Sequence, residues 1–207
     1  MNEKITIINY GIGNIWSIRS ALSYLNFETE VTDSPEKIAK STSLILPGVG
    51  SFRKAMESLR SSGIDLAINE AVKKRGSKIL GICLGMHLLA NSSTEDGYSE
   101  GLGLIDAKVV RFDIDKLCPL KVPHIGFNSV INNGKGMLFN GIKSPADFYF
   151  VHSYRLLTND KIDHYSICHY GEDFLAAYEY NNIFATQFHP EKSQTNGLTL
   201  LNNYAKI

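Results

Sequence analysis

Residues 78–90 read KILGICLGMHLLA, and the fold is decided there. Ile79 and Leu80 lead into Gly81-Ile82-Cys83-Leu84-Gly85, and a second apolar run follows. The pattern predicts a short buried strand, a sharp turn at Cys83 and then a helix. This is the layout of a nucleophile elbow, with a thiol in place of a hydroxyl. Gly81 and Gly85 flank the turn two residues away on either side. Their missing side chains let strand and helix pack closely while the backbone bends. A thiol so placed stands clear of the sheet at a helix start, where free N–H groups and the helix dipole favour thiolate. The same stretch also suits a buried structural cysteine at a tight junction.

Working outward, Lys4–Asn9 is a β-branched strand that ends in the turn Tyr10-Gly11-Ile12-Gly13-Asn14. Trp16, Ile18, Ala21, Leu22 and Leu25 then recur at helical spacing. Trp16 stands where a dinucleotide fingerprint needs its third glycine, which excludes that reading. Strands are predicted at Phe27–Thr32 and Ser43–Leu46. A helix is predicted to start at Asp33-Ser34-Pro35-Glu36, with Asp or Ser as cap and Pro in the first turn. Pro47-Gly48-Val49-Gly50 follows the third strand, and helices are predicted at Ser51–Leu59 and Ile64–Lys74. This alternation implies an α/β fold, mainly a parallel sheet with helices on both faces. Ligands in such sheets sit at the carboxyl ends of the strands. The turns at Gly11–Asn14, Gly48–Gly50 and Cys83 should therefore share one edge.

The second half changes character. Short strands are expected at Gly103–Arg111, Val122–Ile131, Phe148–Val151, His164–His169, Phe174–Glu179 and Ile183–Phe188, with a turn at Asn132–Gly136. Thr195–Tyr204 is predicted to be a closing helix with Leu198, Leu201 and Tyr204 or Ala205 on its buried face. An antiparallel portion joined to the parallel sheet follows, in one domain over residues 1–207.

Lys plus Arg and Asp plus Glu number 21 each, so no basic footprint for nucleic acid exists. The apolar fraction of 43% is that of a globular protein, and no run reaches the length of a membrane span. Cys83, Cys118 and Cys168 lack framework spacing, which suits free thiols in a reducing, cytoplasmic setting.

The strand Ile183–Phe188 ends in His189-Pro190-Glu191. Side chains two apart in an extended segment point the same way. A histidine beside a thiol can take its proton, and a carboxylate behind the ring fixes its tautomer. Cys83, His189 and Glu191 thus make a candidate triad; the plainer alternative is a surface His and a solvated Glu. The glycine turn Gly48-Val49-Gly50 offers backbone N–H groups for an oxyanion, and the Leu84 N–H is a natural second donor. Backbone shape alone would also account for those glycines.

These elements resemble the class I, triad-type glutamine amidotransferases. Tyr10-Gly-x-Gly-Asn14, the LPGVG run from Leu46 with Phe52, KVPH with Gly126, FYFVHSY at Phe148–Tyr154 and QFHPEKSQ at Gln187–Gln194 are similar to the glutaminase subunits of imidazole glycerol phosphate synthases, nearly end to end. The resemblance implies that Cys83 attacks the glutamine amide and that the thioester hydrolyses to glutamate. It implies that ammonia passes to a separate (β/α)₈-barrel cyclase subunit in a heterodimer, for histidine biosynthesis. It implies no cofactor and no metal. It places Gly48, Val49, Gly50 and Leu84 at the oxyanion and substrate backbone sites. Glu95 then meets the glutamine amino group, and His87, His152, Ser153 and Tyr154 line the pocket. Asn14, Lys121, His124, Phe127 and Lys192 face the partner or the ammonia route.

Three positions depart from the family pattern: His87 where Gln is usual, Phe127 for Trp, and Asn9 for Asp. They support an alternative, a paralogous glutaminase feeding another synthase or sugar amidotransferase, as in surface-polysaccharide synthesis. A cysteine peptidase or deglycase is opposed by the Glu two residues after His189 and by the PGVG turn. A scaffold without catalysis is opposed by the intact triad.

Overall fold

A computed structural model describes residues 4–117, 119–134, 136–158, 162 and 164–207. The free thiol expected at Cys118 and one residue of the expected turn Asn132–Gly136, Lys135, lie outside the described residues. In the first half, β1 (Ile5–Ile8), α1 (Ile15–Tyr24), β2 (Thr29–Thr32), α2 (Pro35–Lys40), β3 (Ser43–Leu46), α3 (Phe52–Ser61), α4 (Ile64–Asn69), β4 (Lys78–Ile82) and α5 (Leu84–Leu88) alternate as expected. Ser34 caps α2, its Oγ accepting the Lys37 N–H, with Pro35 in the first turn. The helix expected to run to Lys74 ends at Asn69 and continues as a π turn over Glu70–Lys74.

The second half holds β5 (Ser92–Ser93), β6 (Ser99–Glu100), β7 (Ala107–Arg111), α6 (Ile114–Leu117), β8 (His124–Asn132), β9 (Ala146–His152), β10 (Tyr154–Thr158), β11 (His164–Tyr170), β12 (Glu172–Tyr180), β13 (Ile183–Thr186) and α7 (Gln194–Lys206). One nine-stranded sheet runs β2-β1-β3-β4-β13-β12-β11-β8-β9, and β10-β7-β5-β6 form a second sheet. From β2 to β13 all pairings are parallel; from β13 to β9 all are antiparallel.

The second sheet was not expected. The chain passes from β9 to β10 at Ser153 with no glycine or proline to mark the change of sheet. Arg155 on β10 ties the two sheets by donating to both carboxylate oxygens of Glu172 on β12, at 2.8 Å each. That paired fork geometry favours arginine over lysine.

Alternation along the central strands sends successive side chains to opposite faces. Leu44, Leu46 and Ile79 join the cluster under α2, α3 and α4. Ile45, Leu80 and Ile82 join the cluster under α1 and α7. The second cluster continues beneath the antiparallel strands, where Phe148, Phe150 and Phe188 are fully buried. Each such ring contributes about 1.5–3 kcal/mol by leaving water. On α7 the fully buried side chains are Leu200, Leu201 and Tyr204, while Leu198 is only half-buried.

Candidate active site

Two parallel strands set the geometry. β13 lies beside β4 in the register Thr186↔Ile82, and the Cys83 N–H donates to the Thr186 carbonyl at 2.7 Å. Cys83 follows β4 by one residue and His189 follows β13 by three, so residues 106 positions apart in the chain reach the same rim. β3 pairs on the other side of β4, Leu46↔Gly81, and delivers Pro47–Gly50 to that rim too.

Cys83 adopts φ +54 and ψ −109. A non-glycine residue held there stores about 1–3 kcal/mol of strain, and such strain gathers at functional sites. Close packing keeps the bend in place. A Cβ on Gly81 would lie 2.8 Å from the Gly85 carbonyl, and one on Gly85 would land on the Leu46 carbonyl oxygen. α5 spans only five residues, so the free N–H groups at its start matter more here than a long dipole.

The sulfur opens onto a cleft of about 520 Å³ lined by Cys83, Leu84, Val49, Gly50, His87, Glu95, His152, Ser153, Tyr154 and His189. All of these were named from sequence. Ser51, Pro123 and Val151 also line it and were missed, although each lies inside or beside a quoted motif. Gly48 does not line it: it packs beneath Tyr10 and Leu84.

His189 is 2% exposed, and its Nδ1 lies 2.8 Å from Glu191 Oε1. Its Nε2 has no hydrogen-bond partner among the described residues. Burial on its own would lower the pKa of this imidazole. The Cys83 sulfur and then the Glu191 carboxylate outweigh it and raise the value to about 10. The other imidazoles at the cleft go the opposite way. Burial lowers His87 to about 4, against the bond to Gln187, and His152 to about 3, helped by neighbouring histidines. The surroundings thus single out His189 as the ring that holds a proton beside the Cys83 sulfur.

His152 lines the cleft, yet both its ring nitrogens are occupied. Nδ1–H donates to the Tyr154 carbonyl at 2.8 Å, which leaves Nε2 to accept from His124 Nδ1–H at 3.0 Å. His124 itself is 2% exposed, stacked on Phe150 and Tyr170. His124 thus has no outward surface for a partner, against the first half of the expectation that it faces the partner or the ammonia route. His87 Nε2–H donates to Gln187 Oε1 at 2.7 Å, and Gln187 is a fully buried residue that was quoted within the QFHPEKSQ motif without a role of its own. Glu95 is half-buried and accepts the Phe52 N–H at 2.9 Å. Burial chiefly raises its pKa, opposed by that bond.

Of the remaining partner-facing candidates, Lys121 and Lys192 are exposed, Asn14 is half-buried, and Phe127 is 51% exposed. Phe127 meets Tyr149 edge-on, and Lys192 lies over the other's ring. No group of metal-ligating side chains occurs among the described residues. No described helix is long and apolar enough to cross a membrane.

A family model for "Glutamine amidotransferase class-I" matches residues 6–206. "Imidazole glycerol phosphate synthase subunit HisH 1" of Parasynechococcus marenigrum is 42% identical, covering 98% of this chain and 97% of its own. "Imidazole glycerol phosphate synthase subunit HisH" of Sulfurimonas denitrificans is 44% identical, with 98% and 97% covered. Among solved structures, PurLQS from Thermotoga maritima superposes with a TM-score of 0.72 at 18% identity, covering 100% of this chain and 99% of that one, a likeness of fold.

Proposed function

The chain belongs to the class I glutamine amidotransferase family, and from that premise we propose that it is the glutaminase subunit of an imidazole glycerol phosphate synthase. It is a single domain that works in the cytoplasm with a separate barrel-shaped cyclase subunit. One observation carries the reading. Cys83, His189 and Glu191 share one strand edge in a chain 42–44% identical, over 98% of its length, to subunits so named.

The chemistry follows from the residues. The Cys83 thiolate adds to the glutamine amide carbon, and the carbonyl π pair becomes an oxyanion facing the N–H groups of Leu84 and the Val49–Gly50 turn. The protonated His189 then gives its proton to the departing nitrogen. The C–N bond breaks, ammonia leaves and a glutamyl thioester remains. His189, now neutral, takes a proton from water, whose oxygen adds to the thioester carbon. Glutamate leaves and the thiolate–imidazolium pair is restored. Glu191 holds the ring and supports its charge throughout. Glu95, which lines the same cleft, receives the α-ammonium of glutamine.

The ammonia passes to the partner across the outer face of β8 and β9. Ile125 and Phe127 are exposed there beside Tyr149 and Lys192. Apolar residues left bare in a row mark an interaction surface. The test is glutamate release by the chain alone, with a cyclase, and with cyclase plus its nucleotide ligand. Release should be small alone and rise strongly with both. Equal turnover in all three, or failure of the pair to restore growth to a histidine auxotroph, would overturn the reading.

A further inference from the structure

Tyr10 sits directly behind the oxyanion turn. Its ring is buried at 5% exposure. Its hydroxyl donates to the Pro47 carbonyl at 2.7 Å. Its own backbone carbonyl accepts from Ser58 Oγ on α3 at 2.6 Å. Nothing larger than glycine fits at residue 48, because a Cβ there would lie 2.6 Å from the Tyr10 oxygen. Gly13 faces Pro47 from the same β1–α1 turn, with only 3.3 Å for a Cβ. The Tyr10 hydroxyl also lies within electrostatic reach of Cys83. Burial first, then that sulfur, raises its pKa above the ordinary tyrosine range, so it is a neutral donor at every working pH.

A trans peptide points its C=O and its N–H in opposite directions. Fixing the Pro47 carbonyl therefore fixes the Gly48 N–H and the plane from which Val49 and Gly50 depart. We infer that Tyr10 is a positioning residue for the oxyanion turn: its hydroxyl clamps the Pro47 carbonyl so that the Val49–Gly50 backbone meets the tetrahedral oxyanion on Cys83. The inference rests on the proposed glutaminase reading. Tyr10 touches neither substrate nor reacting atoms.

The turn it positions meets an oxyanion that exists only once the thiolate has added, so the clamp bears on kcat and leaves ground-state binding alone. The experiment uses the chain in complex with its cyclase and replaces Tyr10→Phe, which keeps the ring and its packing. Glutamine kcat should fall about ten-fold, as a small displacement of a catalytic group does, with KM within two-fold. An aldehyde analogue of glutamine provides a second readout. Its thiohemiacetal with Cys83 carries the same oxyanion, so its inhibition constant should weaken by the factor that kcat loses. Ser58→Ala, which loosens the tyrosine without removing it, should do the same to a smaller extent.

Unchanged kcat, equal changes in kcat and KM, or aldehyde affinity that does not follow kcat would overturn the inference. So would a Tyr10→Phe chain that fails to fold while Ser58→Ala is fully active. Failure of the glutaminase reading would look different, since the unsubstituted complex would then release no glutamate.

Discussion

The parallel strands β1, β3, β4 and β13 end in short loops that gather reactive groups, whereas the antiparallel strands β8 and β9 bury a histidine pair and leave their outer face bare. Both regions contribute histidines near one cleft, and they treat them in opposite ways. His189, at the end of β13, has a carboxylate behind it and a sulfur before it, and its pKa rises to about 10. His124 and His152, on β8 and β9, have each other and a backbone carbonyl, and burial lowers them to about 4 and about 3. The residue type is the same. What differs is whether a carboxylate or another neutral group stands beside the ring, and that decides which ring holds a proton.

The contrast breaks most sharply at His189. In the complex, His189→Ala should lower glutamine-dependent turnover by at least about 10⁴-fold, with ammonia-dependent synthesis retained. His152→Asn should keep far more of the glutamine rate. Equal losses in the two variants would erase the distinction between them.

The bare face of β8 offers the next test. Phe127→Ala should weaken association with the cyclase by about ten- to thirty-fold, as loss of an aromatic anchor does, with little change in the melting temperature of the lone chain. Titration calorimetry of the pair reads this out, and an unchanged affinity would place the interface elsewhere.

Stability against pH sharpens the contrast from both sides. An imidazole whose folded pKa is depressed is disfavoured as acid loads the unfolded chain. The buried pair, with His87, should therefore make stability rise between about pH 4 and the ordinary histidine value near 6.5. His189 has a raised folded pKa. Its contribution is complete below about 6.5 and is lost as pH climbs toward 10. Denaturant melts from pH 4 to 10 should show both limbs. Cys83→Ala should flatten the alkaline limb and leave the acid one.

The smallest effect belongs to His87. It is locked to Gln187 at 2.7 Å as a neutral ring. His87→Gln should lower the glutamine KM a few-fold at unchanged kcat, the sign of altered ground-state binding. An unchanged or higher KM would mean that the ring already suits its pocket.

Much of this contrast was legible in the chain and some was not. The parallel half could be read because β1, β3 and β4 are mostly apolar runs followed within three residues by glycine or proline, and topology alone then puts strand ends on one rim. The meeting of Cys83 and His189 at one rim was legible because each stands at such an end. The antiparallel half resisted for physical reasons. β5 and β6 are two-residue strands without periodicity, and the β9–β10 change of sheet at Ser153 carries no turn residue. His124 looked like a partner-facing histidine after Lys121-Val122-Pro123, because exposure depends on the rings of Phe150 and Tyr170 that close over it. Gln187 likewise shows its role only once Thr186 is seated beside Ile82.

The most direct test of the account is to treat the complex with a diazoketone analogue of glutamine and map the adduct. One adduct is expected, on Cys83, with glutamine-dependent synthesis lost in proportion to labelling and ammonia-dependent synthesis intact. An adduct on another residue, or glutamine turnover that persists once Cys83 is fully labelled, would contradict it.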